Sequence, residues 1–83
     1  MEKQLKKAVV EQLEYDIDRG NYGMFSTKRI SYESFKLLAR NRIQIYENKV
    51  FQDGVEVANI ERRYSSRKTC GDYKELKPKV TWL

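Results

Sequence analysis

The sequence predicts an α+β fold: two helices packed on one face of a small antiparallel sheet built from a hairpin and a C-terminal strand. Three observations carry that expectation. Apolar residues recur at helical spacing early in the chain, they alternate on either side of Asp53-Gly54 in its middle, and Val80-Thr81-Trp82-Leu83 at its end is β-favouring. With 83 residues there is enough chain for one domain, residues 1–83, and for a core of two layers.

Leu5, Val9, Leu13 and Ile17 repeat every four residues with Ala8 and Val10 beside them, so residues 2–19 read as an amphipathic helix stopped by Gly20-Asn21. Glu2 with Lys6 and Lys7 with Glu11 stand one turn apart and support its solvent side. Residues 20–27 carry two glycines and read as a loop tied to the core by Phe25 or Tyr22. Ser31 offers an N-cap to a second helix, residues 31–41. On it Tyr32, Phe35, Leu38 and Ala39 are expected to face the core, with Lys36 and Arg40 on another face.

From Arg42 the period becomes two, and Asp53-Gly54 is the strongest short hairpin signal in the chain. With that turn fixed, Val50 is expected opposite Val57. Ile43, Ile45, Phe51, Ala58, Ile60 and Tyr64 then share one surface, and Tyr46, Val50, Val55 and Val57 the other. Glu47-Asn48-Lys49 interrupts the alternation, which calls for either a bulge or a short turn dividing the first strand. Gly71-Asp72 reads as a turn, Pro78 as a strand boundary, and Trp82 as the core anchor that docks the tail.

Composition narrows function. The chain has no histidine and one cysteine, Cys70, so it lacks the commonest proton-transfer side chain and cannot close a tetrahedral N/S metal shell. The expectation is a non-enzymatic protein with no metal and no cofactor. A single cysteine, and no apolar run resembling a leader or a membrane span, suit a soluble protein of the reducing cytoplasm with no membrane partner. Net charge is +5 and unevenly placed. Residues 1–18 hold three lysines against five acids, whereas the remainder holds fourteen bases against seven acids. Such a field concerns partners and association rate, not fold.

The densest basic stretch, Arg62-Arg63-Tyr64-Ser65-Ser66-Arg67-Lys68, leaves the hairpin without an internal acid. Joined with Lys28, Arg29, Lys36 and Arg40 it forms the candidate binding set: cations for phosphates, and Tyr64 or Tyr46 to stack on a base. The expected partner is nucleic acid, DNA or RNA, bound with little sequence preference because no base-reading array is evident. The alternative is a small inhibitor or adaptor of the kind phages and other mobile elements encode. It would use tyrosines, arginines and a strand edge on an acidic surface of a larger nucleic-acid-processing enzyme. A homodimer is a further candidate, since a core this small gains from a partner.

Other motifs fail on spacing. Gly20-Asn21-Tyr22-Gly23 has the G-x-x-G form of a KH-domain loop, but that loop leads straight into a helix, whereas Met24–Ile30 intervenes here. A helix-turn-helix allows three or four residues between helices, not about twelve. Asp16 and Asp18 do not begin a calcium loop, because Gly20 falls at the wrong offset and no glutamate stands at the twelfth position. Asp53 with Glu75 and Lys77 imitates a metal nuclease only on paper, since the hairpin turn already requires Asp53. Cys70 has Lys68 nearby but no base to activate it.

Overall fold

The computed structural model describes residues 2–65 and 74–83. Arg67, Lys68, Cys70 and the expected Gly71-Asp72 turn lie outside the described residues. The described chain runs α1 (Lys3–Tyr22), a 3-10 turn (Gly23–Phe25), α2 (Tyr32–Arg40), β1 (Ile43–Tyr46), β2 (Lys49–Gln52), β3 (Val55–Tyr64) and β4 (Glu75–Trp82). The strands form an antiparallel meander in sequence order, with both helices on one face. No helix among the described residues is long and apolar enough to cross a membrane.

Leu5, Ala8, Val9 and Leu13 of α1 press on Val50, Ala58 and Ile60 of the sheet, with Leu38 of α2 completing the buried set. Trp82 is half-buried against this core, with Lys6 Nζ 5.4 Å above its ring, as expected of an anchor that docks the tail. The helix does not stop at Gly20-Asn21. It continues to Tyr22 and ends where Gly23 takes φ 56°, its amide donating to the Arg19 carbonyl. Gly20 is tolerated because Asn21 is held from outside the helix: its side-chain amide donates to the Glu75 carbonyl at 2.9 Å and accepts from the Glu75 amide at 3.0 Å. The G-x-x-G run is therefore mostly helical and not a clamp loop.

The interruption at Glu47-Asn48 is the dividing turn rather than a bulge. Glu47 and Asn48 take φ 47° and 62°, and Asp53 and Gly54 take 52° and 78°, so two successive two-residue turns each have positive φ at both positions. That is the geometry whose twist matches flanking strands. The bulge falls one strand later. Val50 pairs with Ala58 and Phe51 with Glu56, leaving Val57 as the extra residue, so the expected Val50–Val57 pairing is corrected. Val50 consequently points inward beside Ile45, and Phe51 joins Gln44 and Tyr46 on the uncovered face.

Pro78 lies inside β4 and not at its boundary. Arg63 pairs with Leu76 and Glu61 with Lys79, so Lys77-Pro78 together oppose Arg62 in a bulge on an edge strand, a place where a missing N–H costs nothing.

Candidate nucleic-acid interface

The largest departure from expectation is the rotation of α2. Its buried side is Ser34 and Leu38, with Leu37 half-buried, whereas Tyr32 is 71% and Phe35 57% exposed and Ala39 is also exposed. Ser34 decides this. Ser31 caps the helix by accepting from the Ser34 amide at 3.2 Å, and the two hydroxyls lie 2.9 Å apart, so Ser34 enters the core with its polar group satisfied. Tyr32, Phe35, Lys36, Ala39 and Arg40 recur at i, i+3, i+4, i+7 and i+8, which gathers them on one solvent face instead of two. Lys36 Nζ lies 4.8 Å from the Tyr32 ring centre.

The segment leading to α2 extends this surface. It runs back along α1, tied by three contacts in order: Asp18 to residues 26–28, Glu14 to Lys28 at 3.7 Å, and Glu11 to Ser31 at 3.4 Å. Asp18 accepts from the Ser26 hydroxyl and from the amides of Thr27 (2.9 Å) and Lys28 (3.2 Å). The Ser26 bond chiefly holds its carboxyl below the ordinary value; desolvation opposes it, and the Lys28 and Thr27 amides and the Lys28 charge each add a lesser lowering. Tyr22 (43% exposed) and Phe25 (80%) do not reach the core, and Met24 is 91% exposed. From Met24 to Arg40 the chain therefore presents Met24, Phe25, Tyr32 and Phe35 interleaved with Lys28, Arg29, Lys36 and Arg40. Glu33 is the single acid in that stretch.

The other candidate residues lie elsewhere. Arg62 projects to the helix side, where its Nη1 meets Glu75 Oε1 at 3.1 Å and its Nε donates to Asn48 Oδ1 at 2.6 Å. Tyr64, 56% exposed, shares with it a cleft of about 320 Å³ between α1 and the sheet, lined also by Leu13, Ile17, Ile45 and Ile60. Arg63, one residue from each, points to the opposite, uncovered face. Strand alternation thus separates what looked like one cluster in sequence. Arg29, Arg40 and Arg63 have no hydrogen-bond or ion-pair partner among the described residues, whereas Lys28 and Arg62 are each engaged by a carboxylate.

Sequence reasoning named Lys28, Arg29, Lys36 and Arg40 but missed their aromatic companions Tyr32 and Phe35, and missed Met24 and Phe25. The signal that finds them is a second stripe of α2, the leucines Leu37 and Leu38 with the small Ser34, which competes with Tyr32-Phe35-Ala39 for the core. The imagined nuclease trio is dispersed. Asp53 stands in the β2–β3 turn beside Arg42 at 3.7 Å, while Glu75 pairs with the far end of β3, roughly 30 Å away at the rise of an extended strand. Lys77 is bound to Glu14 at 3.2 Å. Among the described residues no three acids or thiols gather to hold a metal. Comparison with protein-family models, curated proteins and solved structures finds no match to the chain.

Proposed function

We propose that this protein is a non-enzymatic module that binds nucleic acid through the exposed 24–40 surface, with little sequence preference. The observation that carries the reading is the outer face of α2, where two exposed aromatic rings share one surface with two cations that no carboxylate among the described residues pairs with. Lys36 and Arg40 neutralise phosphates, and Tyr32 and Phe35 offer ring faces to bases or sugars, a combination that tolerates any sequence because every base has a π-face. Nine residues of helix span roughly 14 Å, room for about four stacked nucleotides at a rise near 3.4 Å. Binding rather than turnover is supported by the lack of any histidine.

Arg62 and Arg63 contribute only to the general positive field in this reading, since Arg62 is committed to Glu75 and Asn48 and Arg63 faces away. The test is a titration of labelled single- and double-stranded oligonucleotides over a range of salt. The expected result is affinity that falls linearly on a log–log plot as salt rises. Absence of binding at low salt overturns the reading and leaves the same basic, aromatic surface to an acidic protein partner.

A further inference from the structure

The 3-10 turn after α1 exposes two adjacent large apolar side chains, Met24 at 91% and Phe25 at 80%. A free loop would fold such side chains back onto apolar surface, because large apolar side chains gain by leaving water. This one is prevented from doing so. Gly23 at φ 56° turns the chain out of the helix, Ser26 closes the turn by donating from its amide to the Gly23 carbonyl at 3.1 Å, and the Asp18 carboxylate gathers Ser26, Thr27 and Lys28. Three bonds to one carboxylate fix the loop with its apolar tip outward.

The surroundings of the tip specify what it fits. Arg19, Lys28 and Arg29 line one shallow depression with Met24, and Arg19 is braced there by Tyr15, whose hydroxyl accepts from Nη1 at 3.1 Å. An apolar projection ringed by cations is complementary to a target whose interior is apolar and whose rim is anionic. A stack of bases flanked by phosphates has that chemistry, and apolar side chains are known to enter opened base steps while basic neighbours hold the backbone.

We propose that Met24 and Phe25 form a wedge that inserts between adjacent bases of a duplex and kinks it, with Arg19 and Arg29 on the flanking phosphates. This rests on the nucleic-acid reading of the 24–40 surface and specifies how that surface engages its ligand. The wedge enters a step that opens readily, so preference follows deformability and not base identity.

The experiment uses a duplex with 2-aminopurine at a central TA step and a donor–acceptor pair at its ends, titrated with the wild type, Phe25→Ala and Phe25→Leu. The expected result is a rise in 2-aminopurine fluorescence and a shortened end-to-end distance with the wild type. Phe25→Ala should lose both signals and bind roughly tenfold more weakly, as loss of one stacked ring implies, and Phe25→Leu should restore part of each. Equal duplex affinity for Phe25→Ala with no 2-aminopurine response in any protein overturns the wedge and leaves the nucleic-acid reading standing. No binding to any oligonucleotide overturns both. Phe25-dependent capture on phosphatidylserine vesicles without a 2-aminopurine response overturns the wedge in favour of a lipid surface. Because residue 25 is solvent-exposed, all three proteins are expected to unfold at similar temperatures.

Discussion

Asn21 and Glu75 stand 54 positions apart, yet the Asn21 side chain pairs with both backbone groups of Glu75, donating to its carbonyl at 2.9 Å and accepting from its amide at 3.0 Å. It occupies the place of a neighbouring strand at the start of edge strand β4 and ties the last turn of α1 to the sheet. Loss of two such bonds costs about 2 kcal/mol, so Asn21→Ala should lower the urea-unfolding free energy by that amount. Asn21→Asp should cost at least as much, since it loses the donor and brings a charge toward the Glu75 carboxylate. An unchanged midpoint for either variant would show that β4 is held by β3 alone.

Asp18 gives the loop after α1 a pH dependence. Its folded-state pKa is depressed, chiefly by the Ser26 hydroxyl, so the unfolded state binds a proton more readily. The stabilisation is therefore fully present above the unfolded value, near 3.8, and is lost as pH falls through the lower folded value. Thermal unfolding of wild type and Asp18→Asn should differ by a constant amount from neutral pH down to roughly pH 5 and converge in more acidic buffer. Divergence that grows on acidification would contradict the assignment.

The position of the bulge is testable by exchanging two neighbours. Val50 is wholly buried and Phe51 lies on the uncovered face, so Val50→Ala should cost roughly 2 kcal/mol and Val50→Lys should prevent folding. Phe51→Lys should leave a cooperative unfolding transition. The reverse pattern, read by circular dichroism and urea titration, would restore the unbulged register.

The outer face of α2 should dominate the salt response of binding. Lys36→Ala with Arg40→Ala is expected to reduce the log–log salt slope by about two, roughly one for each cation removed, and Phe35→Ala to weaken binding about tenfold without changing the slope. Arg63→Ala, on the opposite face, should leave the slope nearly unchanged. A larger loss from Arg63 than from Lys36 and Arg40 together would move the interface to the uncovered face of the sheet.

Glu47 occupies a positive-φ turn position that asparagine takes more easily. Glu47→Asn should raise stability by about 0.5–1 kcal/mol while Asn48 keeps its bond to Arg62, and differential scanning calorimetry should register a higher Tm. A lower Tm would mean that Glu47 holds the turn by an interaction outside its backbone geometry.

Much of the fold was legible because its signals are local. The fourfold spacing of Leu5, Val9 and Leu13 marked α1, Ser31 marked the start of α2, and Asp53-Gly54 marked a turn whose backbone few other pairs adopt. The candidate site was legible only in part. Lys28, Arg29, Lys36 and Arg40 were found as cations, but Tyr32 and Phe35 were assigned to the core because α2 carries two apolar stripes and its sequence does not rank them. Arg62-Arg63-Tyr64 looked like one cluster because neighbours in sequence become neighbours in space only where the backbone does not alternate.

By itself the sequence determined the class of fold, the main helix, the second turn of the meander and a surplus of positive charge in the last three-quarters of the chain. These follow from spacing, turn chemistry and composition, which act over a few residues or over the whole chain at once. Tertiary structure alone decided that α1 runs through Gly20, that Val50 points inward, that Ser34 enters the core, and that Met24 and Phe25 stay in water. Each of those outcomes depends on partners far away along the chain: Glu75 for Asn21, Ala58 for Val50, α1 for the inner side of α2, and Asp18 for the loop. A sequence pattern states which faces a residue can occupy, and only packing against distant elements selects among them.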